Sequence, residues 1–306
     1  MYSHYGIHKL RYQYLVKMKP LLEKSIESLN QSFLVKKLQD PFFDPNWHFH
    51  PHYQLFTVIK GTGTRFIGDD IRHFEEGDTV FLGPNMPHLW RSDRNYFEKE
   101  SQLQTEGIVV YFKEDFLGND FFEKPEMFDI KSFLKNSERG LDLKGTLGAE
   151  MVSDLNELLG LTGFEGISKL LNILHKLSVT NDYQYISSSN YTNTHKISET
   201  ERMRIVHEYV LKHFKENINL STVASLSNMT EAAFCRYFKS RTNKTFSDFV
   251  KEIRIGNACK ILQDENKSIS QTCYESGYNT VSNFNNQFKS LKGVSPLQYQ
   301  KLYRRT

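Results

Sequence analysis

The chain has 306 residues, 39% of them hydrophobic and 25% charged, so it is long enough for about two domains with packed cores. No stretch approaches the roughly 18 consecutive apolar residues of a membrane helix, and residues 1–14 lack the apolar centre of a secretory signal. The three cysteines, Cys235, Cys259 and Cys273, have no paired spacing, which favours a reducing compartment over a disulfide framework. We therefore expect a cytoplasmic protein that makes no membrane contact.

Short strand-like runs occupy the region from about Ser32 to Phe112. Tyr53–Ile59 is rich in β-branched and aromatic residues and is followed by two glycines, which is typical of a strand that ends in a turn. Similar runs, separated by turn residues, follow at Thr64–Ile67, Thr79–Leu82 and Ile108–Phe112. Many short strands at close spacing predict a sandwich or a barrel.

Three histidines and one glutamine stand out within this region. His48 and His50 are separated by one residue, Gln54 follows four residues after His50, and His88 comes later. Because alternate residues of a strand point to one face, we expect His48 and His50 to face the same side. Imidazole and amide groups are donors and acceptors that suit a hydroxylated or carboxylated small molecule.

These residues resemble the two sequence motifs of cupin domains, over residues 40–112. The matching residues are His48-Phe49-His50 for the first motif, and Gly77-Asp78, Pro84, Pro87 and His88 for the second. The chain departs from the pattern at Gln54, where metal-binding cupins carry Glu, and a neutral amide is a poorer metal ligand. We therefore expect no metal and no cofactor. Three roles stay open for the histidines: binding an effector, holding a metal ion, or plain hydrogen bonding between strands.

An aromatic ring and a guanidinium extend the predicted pocket. Trp90 offers a face that stacks on sugar rings, and Arg65 offers fixed donors to hydroxyls or carboxylates. A core tryptophan and a solvated arginine are equally ordinary interpretations of these two residues. The predicted effector-binding residues are His48, His50, Gln54, Arg65, His88 and Trp90. We expect the effector to be a sugar or a sugar-derived molecule.

The pattern becomes helical after Asp115. Two apolar faces follow, with members at Leu147, Met151, Leu155, Leu158 and Leu159, and at Leu170, Leu171, Leu174 and Leu177. Such faces either pack on the β domain or form the contact of a homodimer. Residues 180–200 are rich in Ser, Asn, Thr and Tyr without any period, so we expect an interdomain linker there.

The C-terminal region contains an internal repeat with an offset of fifty positions. The residues Thr230, Phe234, Phe238, Lys239 and Ser240 recur as Thr280, Phe284, Phe288, Lys289 and Ser290. Two Phe residues four positions apart share a helical face, so each copy predicts a helix with one buried side. A shorter helix and a tight turn precede each copy, with Asn228 and Gly277 as the turn residues. Each copy therefore predicts a helix-turn-helix unit.

One amphipathic helix is predicted between the two units. Residues 246–264 carry apolar residues at the spacing of a single helical face, and such a helix would span about 28 Å. A single helix is a stiff spacer, so it holds the two units at a fixed separation. Because successive major grooves on one side of B-DNA lie about 34 Å apart, this length is compatible with adjacent grooves.

Charge is unevenly distributed along the chain. The net charge is +3, but residues 196–306 contain 18 Lys and Arg against 10 Asp and Glu, so the rest of the chain is acidic. A basic C-terminal region is the electrostatic footprint of a nucleic-acid-binding domain. The sequence has no phosphate-binding loop, nucleophile elbow or zinc-protease motif, so nothing favours another enzyme class.

Residues 201–304 resemble the DNA-binding domain of AraC/XylS-type transcription regulators. The segments that carry the resemblance include F-C-R-Y-F-K from Phe234, Y-E-S-G-Y from Tyr274, S-N-F-N-N-Q-F-K from Ser282 and G-V-S-P-L-Q-Y from Gly293. By position, the resemblance implies DNA contacts at Ala232, Cys235, Arg236, Lys239, Ser282, Asn285, Asn286 and Lys289. Sensor domains of this family also resemble cupins.

Within that set, Arg236 is the residue most suited to direct base contact. Arginine forks to the O6 and N7 atoms of guanine, whereas Asn286, where family members often carry Arg, would favour adenine. Lys239, Lys289 and Lys292 are expected to contact phosphates, for which the alternative is simple exposure on a helix.

Taken together, these patterns predict a multidomain protein. Residues 18–180 form a cupin-like β-barrel with flanking helices that binds a small-molecule effector and forms a homodimer, and residues 1–17 are an extension of little structural consequence. A linker at 181–200 leads to an all-α domain, 201–306, with tandem helix-turn-helix units. The predicted function is a regulator that binds double-stranded DNA, with RNA polymerase as a further partner and no catalytic activity. The alternative is a metal-dependent cupin enzyme or metal sensor fused to a DNA-binding tail.

Overall fold

The computed structural model describes residues 32–98, 100–191, 197–264 and 266–303. The predicted extension and the first residues of the predicted cupin-like domain therefore lie outside the described residues. Within the described ranges, no helix is both long enough and apolar enough to cross a bilayer.

The first half of the described chain forms two antiparallel sheets. The strands are β1 (Phe33–Asp40), β2 (Tyr53–Lys60), β3 (Gly63–Ile67), β4 (Asp70–Phe74), β5 (Thr79–Leu82), β6 (His88–Ser92), β7 (Thr105–Phe112), β8 (Leu141–Leu143) and β9 (Tyr183–Tyr185). The larger sheet has the order β1-β7-β2-β5-β8-β9, and the smaller one has the order β4-β3-β6. The predicted cupin-like fold is confirmed. The sheets do not close into one barrel, because the outer strands β4 and β6 form no ladder with the larger sheet in the described residues.

Alternation along the strands stacks the domain in layers. In β2, Leu55 packs against the helices of this domain, whereas Phe56 and Val58 pack toward the smaller sheet. In β6, Trp90 belongs to the core between the sheets, and Leu89 belongs to a core shared with the C-terminal domain. The smaller sheet is therefore buried on both faces.

Three helices cover the larger sheet: α1 (Phe128–Asn136), α2 (Thr146–Leu159) and α3 (Gly163–Ser178). The predicted apolar faces lie on α2 and α3, and their fully buried members are Leu147, Met151, Leu155, Leu158, Leu170, Leu174 and Leu177. These side chains share one core with the sheet residues Leu55 and Val110. Of the two roles left open by the sequence, these residues therefore take the packing role, while Leu159 and Leu171 are only partly buried.

The segment predicted as the linker is partly built into the first domain. Strand β9 pairs with β8, and Ile186 and Ser187 are buried beside it. The backbone N–H of Ile186 donates to the carbonyl oxygen of Gly140 at 2.9 Å. The prediction that this whole segment is a linker is therefore corrected. Its polar, tyrosine-rich start has no apolar period, yet it pairs as an edge strand of the larger sheet. Residues 192–196 lie outside the described part of the chain.

The second half of the described chain is helical. Its helices are α4 (Ile197–His213), α5 (Leu220–Leu226), α6 (Glu231–Thr242), α7 (Phe246–Ile261), α8 (Ile269–Glu275), α9 (Val281–Lys292) and α10 (Pro296–Tyr303). Helices α5 and α6 form the first helix-turn-helix unit, and α8 and α9 form the second. The turn residues Asn228 and Gly277 have φ angles of 55° and 83°, the left-handed conformation expected for them.

Helix capping and core packing explain the repeat. Thr230 and Thr280 are the N-caps of α6 and α9, and each side chain accepts a hydrogen bond from the backbone N–H three residues later. The repeated aromatic residues are fully buried: Phe234, Phe238, Phe284 and Phe288. The repeated pattern thus determines where each helix begins and which side faces inward, leaving the opposite side exposed.

Helix α7 belongs to two separate cores. Its first half contributes Phe249 and Ile253 to the core of the first unit, and its second half contributes Ala258 and Cys259 to the core of the second. One continuous helix therefore determines the separation of the two units.

Candidate functional site

Three histidines converge between the two sheets. One ring nitrogen from each of His48, His50 and His88 lies within 4.8 Å of the others. His88 begins β6, whereas His48 and His50 lie in the segment before β2, where His48 forms an isolated bridge with His88. The expectation that a regular strand holds His48 and His50 is wrong. An irregular segment brings their rings together, because the bridge brings the backbone of His48 beside β6.

Hydrogen bonds behind two of the rings determine which nitrogen carries the proton. Nδ1 of His48 lies 2.8 Å from the carbonyl oxygen of Asn46, and Nδ1 of His88 lies 2.7 Å from that of Met86. A carbonyl oxygen only accepts, so each Nδ1 carries the proton and each Nε2 keeps its lone pair. Nε2 of His88 is buried and has no hydrogen-bond partner among the described residues.

Gln54 orients His50. Its Oε1 accepts a hydrogen bond from Nε2 of His50 at 2.9 Å, so the lone pair of that ring is on Nδ1. This Nδ1 is buried and has no hydrogen-bond partner in the described ranges. The amide thus stands where the cupin pattern has a carboxylate, and it fixes the tautomer of a neighbouring histidine.

Burial keeps the rings of His50 and His88 neutral. Burial, reinforced by the nearby His48, lowers the pKa of His50 to about 3. Burial also lowers the pKa of His88 well below its usual range, and His48 and His50 add to this effect. At neutral pH His50 and His88 therefore offer lone pairs without positive charge.

This donor set fits a divalent transition-metal ion, the group that a cupin fold implies. Neutral imidazole nitrogens bind zinc, copper, iron and nickel well, and an acceptor on the second ring nitrogen is the usual way to orient such a ligand. Three nitrogens leave further coordination positions open, as in catalytic zinc sites. The same lone pairs also suit a molecule that donates hydrogen bonds from hydroxyl groups.

Two aromatic side chains flank the cluster. The ring centroid of Trp90 lies 5.4 Å from that of His88, and the centroid of Tyr111 lies 5.1 Å from that of His50. Trp90 is only 6% exposed, so its position is an inner wall. Tyr111 was not predicted, because the run Ile108–Phe112 is apolar throughout and conceals which of its residues face the cluster.

Arg65 is held away from any effector by carboxylates of its own domain. Its buried guanidinium forms ion pairs with Asp78 at 3.1 Å and with Asp142 at 2.6 Å. Arg72 and Lys144 also pair with Asp142. The prediction that Arg65 binds an effector is therefore corrected. Asp142 lies 77 residues from Arg65 in the chain, so no local pattern signals this pair.

The other candidate surface is formed by α6 and α9. On the side opposite the buried phenylalanines, the exposed predicted contacts are Ala232, Cys235, Arg236, Lys239, Ser282, Asn286 and Lys289. Lys292 at the end of α9 is also exposed. Asn285 differs, because it is partly buried and its Oδ1 is inaccessible to solvent. Both helices thus present polar and basic side chains outward, as expected for contact with a phosphate backbone and base edges.

Two family models match the chain. The model described as a helix-turn-helix domain matches residues 223–302, and the one described as a cupin domain matches residues 40–95. An uncharacterized HTH-type transcriptional regulator of Bacillus subtilis (strain 168), YdeC, is 25% identical over 264 residues, which cover 83% of this chain and 86% of that protein. The probable transcriptional regulator LumQ of Photobacterium leiognathi is 23% identical over 276 residues, with coverage of 90% and 98%. The chain is an AraC-type transcription regulator.

In this regulator a cupin domain precedes the DNA-binding domain, so the predicted family is confirmed, and its relatives are named as regulators. ToxT from Vibrio cholerae O395 is similar with 15% identity and a TM-score of 0.35, covering 89% of this chain and 98% of that one. The DNA-binding domain of AdpA, solved with a target DNA, is 24% identical with a TM-score of 0.32, covering 33% and 90%.

Proposed function

We propose that this regulator binds adjacent major grooves with its two helix-turn-helix units, and that a ligand at the histidine cluster controls this binding. The supporting observation is the pair of capped recognition helices, α6 and α9, whose exposed sides both carry polar and basic residues. Helix α7 packs into the cores of both units, so the two helices meet DNA at one fixed spacing.

The two units have different base preferences in this proposal. Arg236 of α6 forks to guanine, and Asn286 of α9 pairs with adenine. Lys239 and Lys289 occupy equivalent places in the repeat and neutralise phosphates. The preferred site therefore contains a guanine in one major groove and an adenine in the next.

Binding to duplexes from the promoter regions beside its own gene tests the DNA-binding part of the proposal. The full chain should bind in a salt-sensitive manner, because Lys and Arg contacts release counterions. Arg236→Glu should abolish specific binding, whereas Lys212→Glu, an equal charge change at an exposed position of α4, should retain it. Salt-insensitive binding, or equal loss in both variants, would argue against the assigned surface.

For the effector, we propose a small hydroxylated molecule, with sugars and sugar derivatives as the first class to test. His48, His50 and His88 would accept hydrogen bonds from its hydroxyl groups, and Trp90 would provide an apolar wall. A promoter-reporter screen with such compounds should identify an inducer or corepressor whose effect disappears in a His48→Leu/His88→Leu variant. A response that survives this double change would leave the histidines with a structural role only.

A metal sensor is the second candidate, favoured by the convergence of three ring nitrogens within 4.8 Å. The chain purified without added ions should then contain stoichiometric metal, and chelation should change DNA binding. Gln54→Glu should raise metal affinity, because it adds a carboxylate at the position where metal-binding cupins carry one. Absence of metal from both proteins, with regulation intact, would decide for the small molecule.

Two further partners belong to this proposal. A homodimer formed through the cupin domain would bind two copies of the site, and RNA polymerase would be the partner through which bound regulator changes transcription. Sedimentation of the full chain across a concentration series tests the dimer. A monomer at every concentration, bound to a single site, would contradict it.

A further inference from the structure

The outer face of the smaller sheet packs against α4 and α7, whose side chains here belong to the core of the first helix-turn-helix unit. Trp47, Phe66 and Leu89 are at most 1% exposed, and they share one core with Met203 of α4 and Phe249 of α7. The inner face of the same sheet closes over the histidine cluster. One layer of β-structure thus separates the candidate ligand site from the DNA-binding domain.

Residues on the two faces are direct neighbours in the chain. Trp47 precedes His48, and Leu89 follows His88, so each outward-facing apolar residue adjoins an inward-facing histidine. Two backbone hydrogen bonds join the histidines themselves, from His48 N–H to His88 O at 3.2 Å and from His88 N–H to His48 O at 2.9 Å. A displacement of either histidine therefore moves a residue of the interdomain contact.

An aromatic contact lies at the centre of this interface. The ring of His207 in α4 stacks on Trp47, with 4.3 Å between centroids and 14° between planes. Phe66 and Phe249 meet the same imidazole edge-on, with centroids at 5.5 Å and 4.9 Å. His207 is 2% exposed, so separation of the domains would return this ring and the indole of Trp47 to water.

At the edge of the interface, polar groups of the cupin domain pair with lysines of the DNA-binding domain. Lys260 of α7 forms an ion pair with Asp93 and donates a hydrogen bond to Thr64 Oγ1 at 3.0 Å. Lys244 lines a small interdomain cavity together with Asp70. The interdomain contact therefore places carboxylates of the cupin domain beside lysines of the DNA-binding domain. Their negative charge weakens the attraction of the DNA-binding domain for phosphates.

We propose that this contact, formed by Trp47, Phe66, Leu89 and Asp93 against His207, Phe249 and Lys260, is a releasable latch that keeps the regulator in a state of low DNA affinity. The mixture of apolar packing with an ion pair is typical of interfaces between domains that move relative to one another. Ligand binding at the histidine cluster shifts the latch through Trp47 and Leu89. This last link rests on the proposed function of the cluster.

The two tryptophans of the chain make the latch measurable. With Trp90→Phe as the background, Trp47 is the single indole, and its emission reports whether the interface is closed. In this full-length background, Asp93→Asn and Asp93→Lys should shift the emission to longer wavelength and raise DNA affinity by about fivefold or more. Asp93→Asn still accepts the hydrogen bond of Thr62, so it tests the ion pair without disturbing that loop.

Two controls separate the latch from a general charge effect. Asp115→Lys makes the same charge change at an exposed position of the cupin domain and should leave Trp47 emission unchanged. The exchanged pair Asp93→Lys/Lys260→Asp should return both emission and affinity toward the parent values. If Asp93→Lys behaves like Asp115→Lys, or the exchanged pair restores neither property, the latch is refuted.

The link to the ligand site needs a change inside the cluster. In the same background, His50→Leu lies outside the interface, yet it should alter Trp47 emission and DNA affinity together. Unchanged emission would show that the latch works independently of the cluster. Loss of specific DNA binding in every variant and in the parent would instead refute the proposed function. Failure of the latch and failure of the proposed function therefore give different results.

Discussion

The two helix-turn-helix units share a sequence pattern and a local fold, but they differ in what surrounds them. The core of the first unit includes Trp47, Phe66 and Leu89 of the cupin domain. The core of the second unit, within the described residues, is formed by side chains of the C-terminal half alone, among them Phe284 and Phe288. Within the described residues, the core of one unit therefore includes side chains of the sensor, and the core of the other does not.

This difference shows that the repeated sequence pattern determines the local fold of each unit but not the contacts that the unit makes with the rest of the protein. The repeated threonines and phenylalanines produce the same capped, one-sided helix twice. Docking depends on residues outside the repeat, such as His207 and Phe249, which meet the sheet. A signal from the cupin domain should thus reach the first unit, whose core it shares, before the second.

Replacing a buried phenylalanine in each unit should reveal the difference between the two units most clearly. Phe234→Ala and Phe284→Ala each remove a fully buried ring and should cost about 3–5 kcal/mol of stability. In hydrogen-exchange measurements, Phe284→Ala should remove protection from residues 266–303 and spare the cupin domain. Phe234→Ala should also reduce protection in β3 and β6, because its core is shared. Identical exchange patterns would mean that docking does not couple the first unit to the sheet.

Acid should weaken the cupin domain and the unit tied to it. The folded pKa of His50 is about 3, below the unfolded value of about 6.5, so the unfolded chain binds the extra proton between these values. Stability is therefore complete above about pH 6.5 and falls as pH drops, by about 2 kcal/mol at pH 5 from His50, with His88 acting in the same direction.

Denaturant unfolding across pH 5–8 measures this loss, and exchange at pH 5 shows where it acts. The first unit should lose protection before the second. His50→Asn removes one titrating group and should flatten the pH dependence of unfolding. A slope unchanged by this substitution would show that His50 is protonated in the folded protein.

Base preference should distinguish the recognition helices. Arg236→Ala should cost about 1–3 kcal/mol at one guanine, and Asn286→Ala should relax selection of an adenine in the neighbouring groove. Selection from randomised duplexes measures both effects base by base. If either variant reproduces the parent profile, that residue does not contact a base.

Phosphate contacts should produce the smallest effect and should be equal in the two units. Lys239→Ala and Lys289→Ala should each weaken binding to all sequences by less than about 1 kcal/mol and reduce the salt slope by about one. Titrations at several salt concentrations give this slope, with Lys212→Ala as the matched control. A sequence-dependent effect of either change would assign that lysine to base contact.

Much of the fold was predictable because its signals are local. Thr230 and Thr280 each accept a hydrogen bond from the backbone N–H three residues ahead, Phe pairs four apart share a face, and Asn228 and Gly277 adopt the expected turn conformation. Strand runs bounded by glycine were equally visible, as in Tyr53–Ile59. The histidines were identified from their spacing, although the segment that holds two of them is not a strand.

By itself, the sequence determined the two repeated helix units, their connecting helix and the cupin-like strands, since each depends on residues close in the chain. The clustered histidines were identified from the resemblance to the two cupin motifs. Only the tertiary structure decided that Gln54 orients His50, that Arg65 is paired with Asp142, and that Trp47 stacks on His207. A hydrogen-bond role for Gln54 depends on ring geometry, and the other two contacts join distant segments. No periodic pattern encodes such pairs, because they form only when separate layers of the fold pack together.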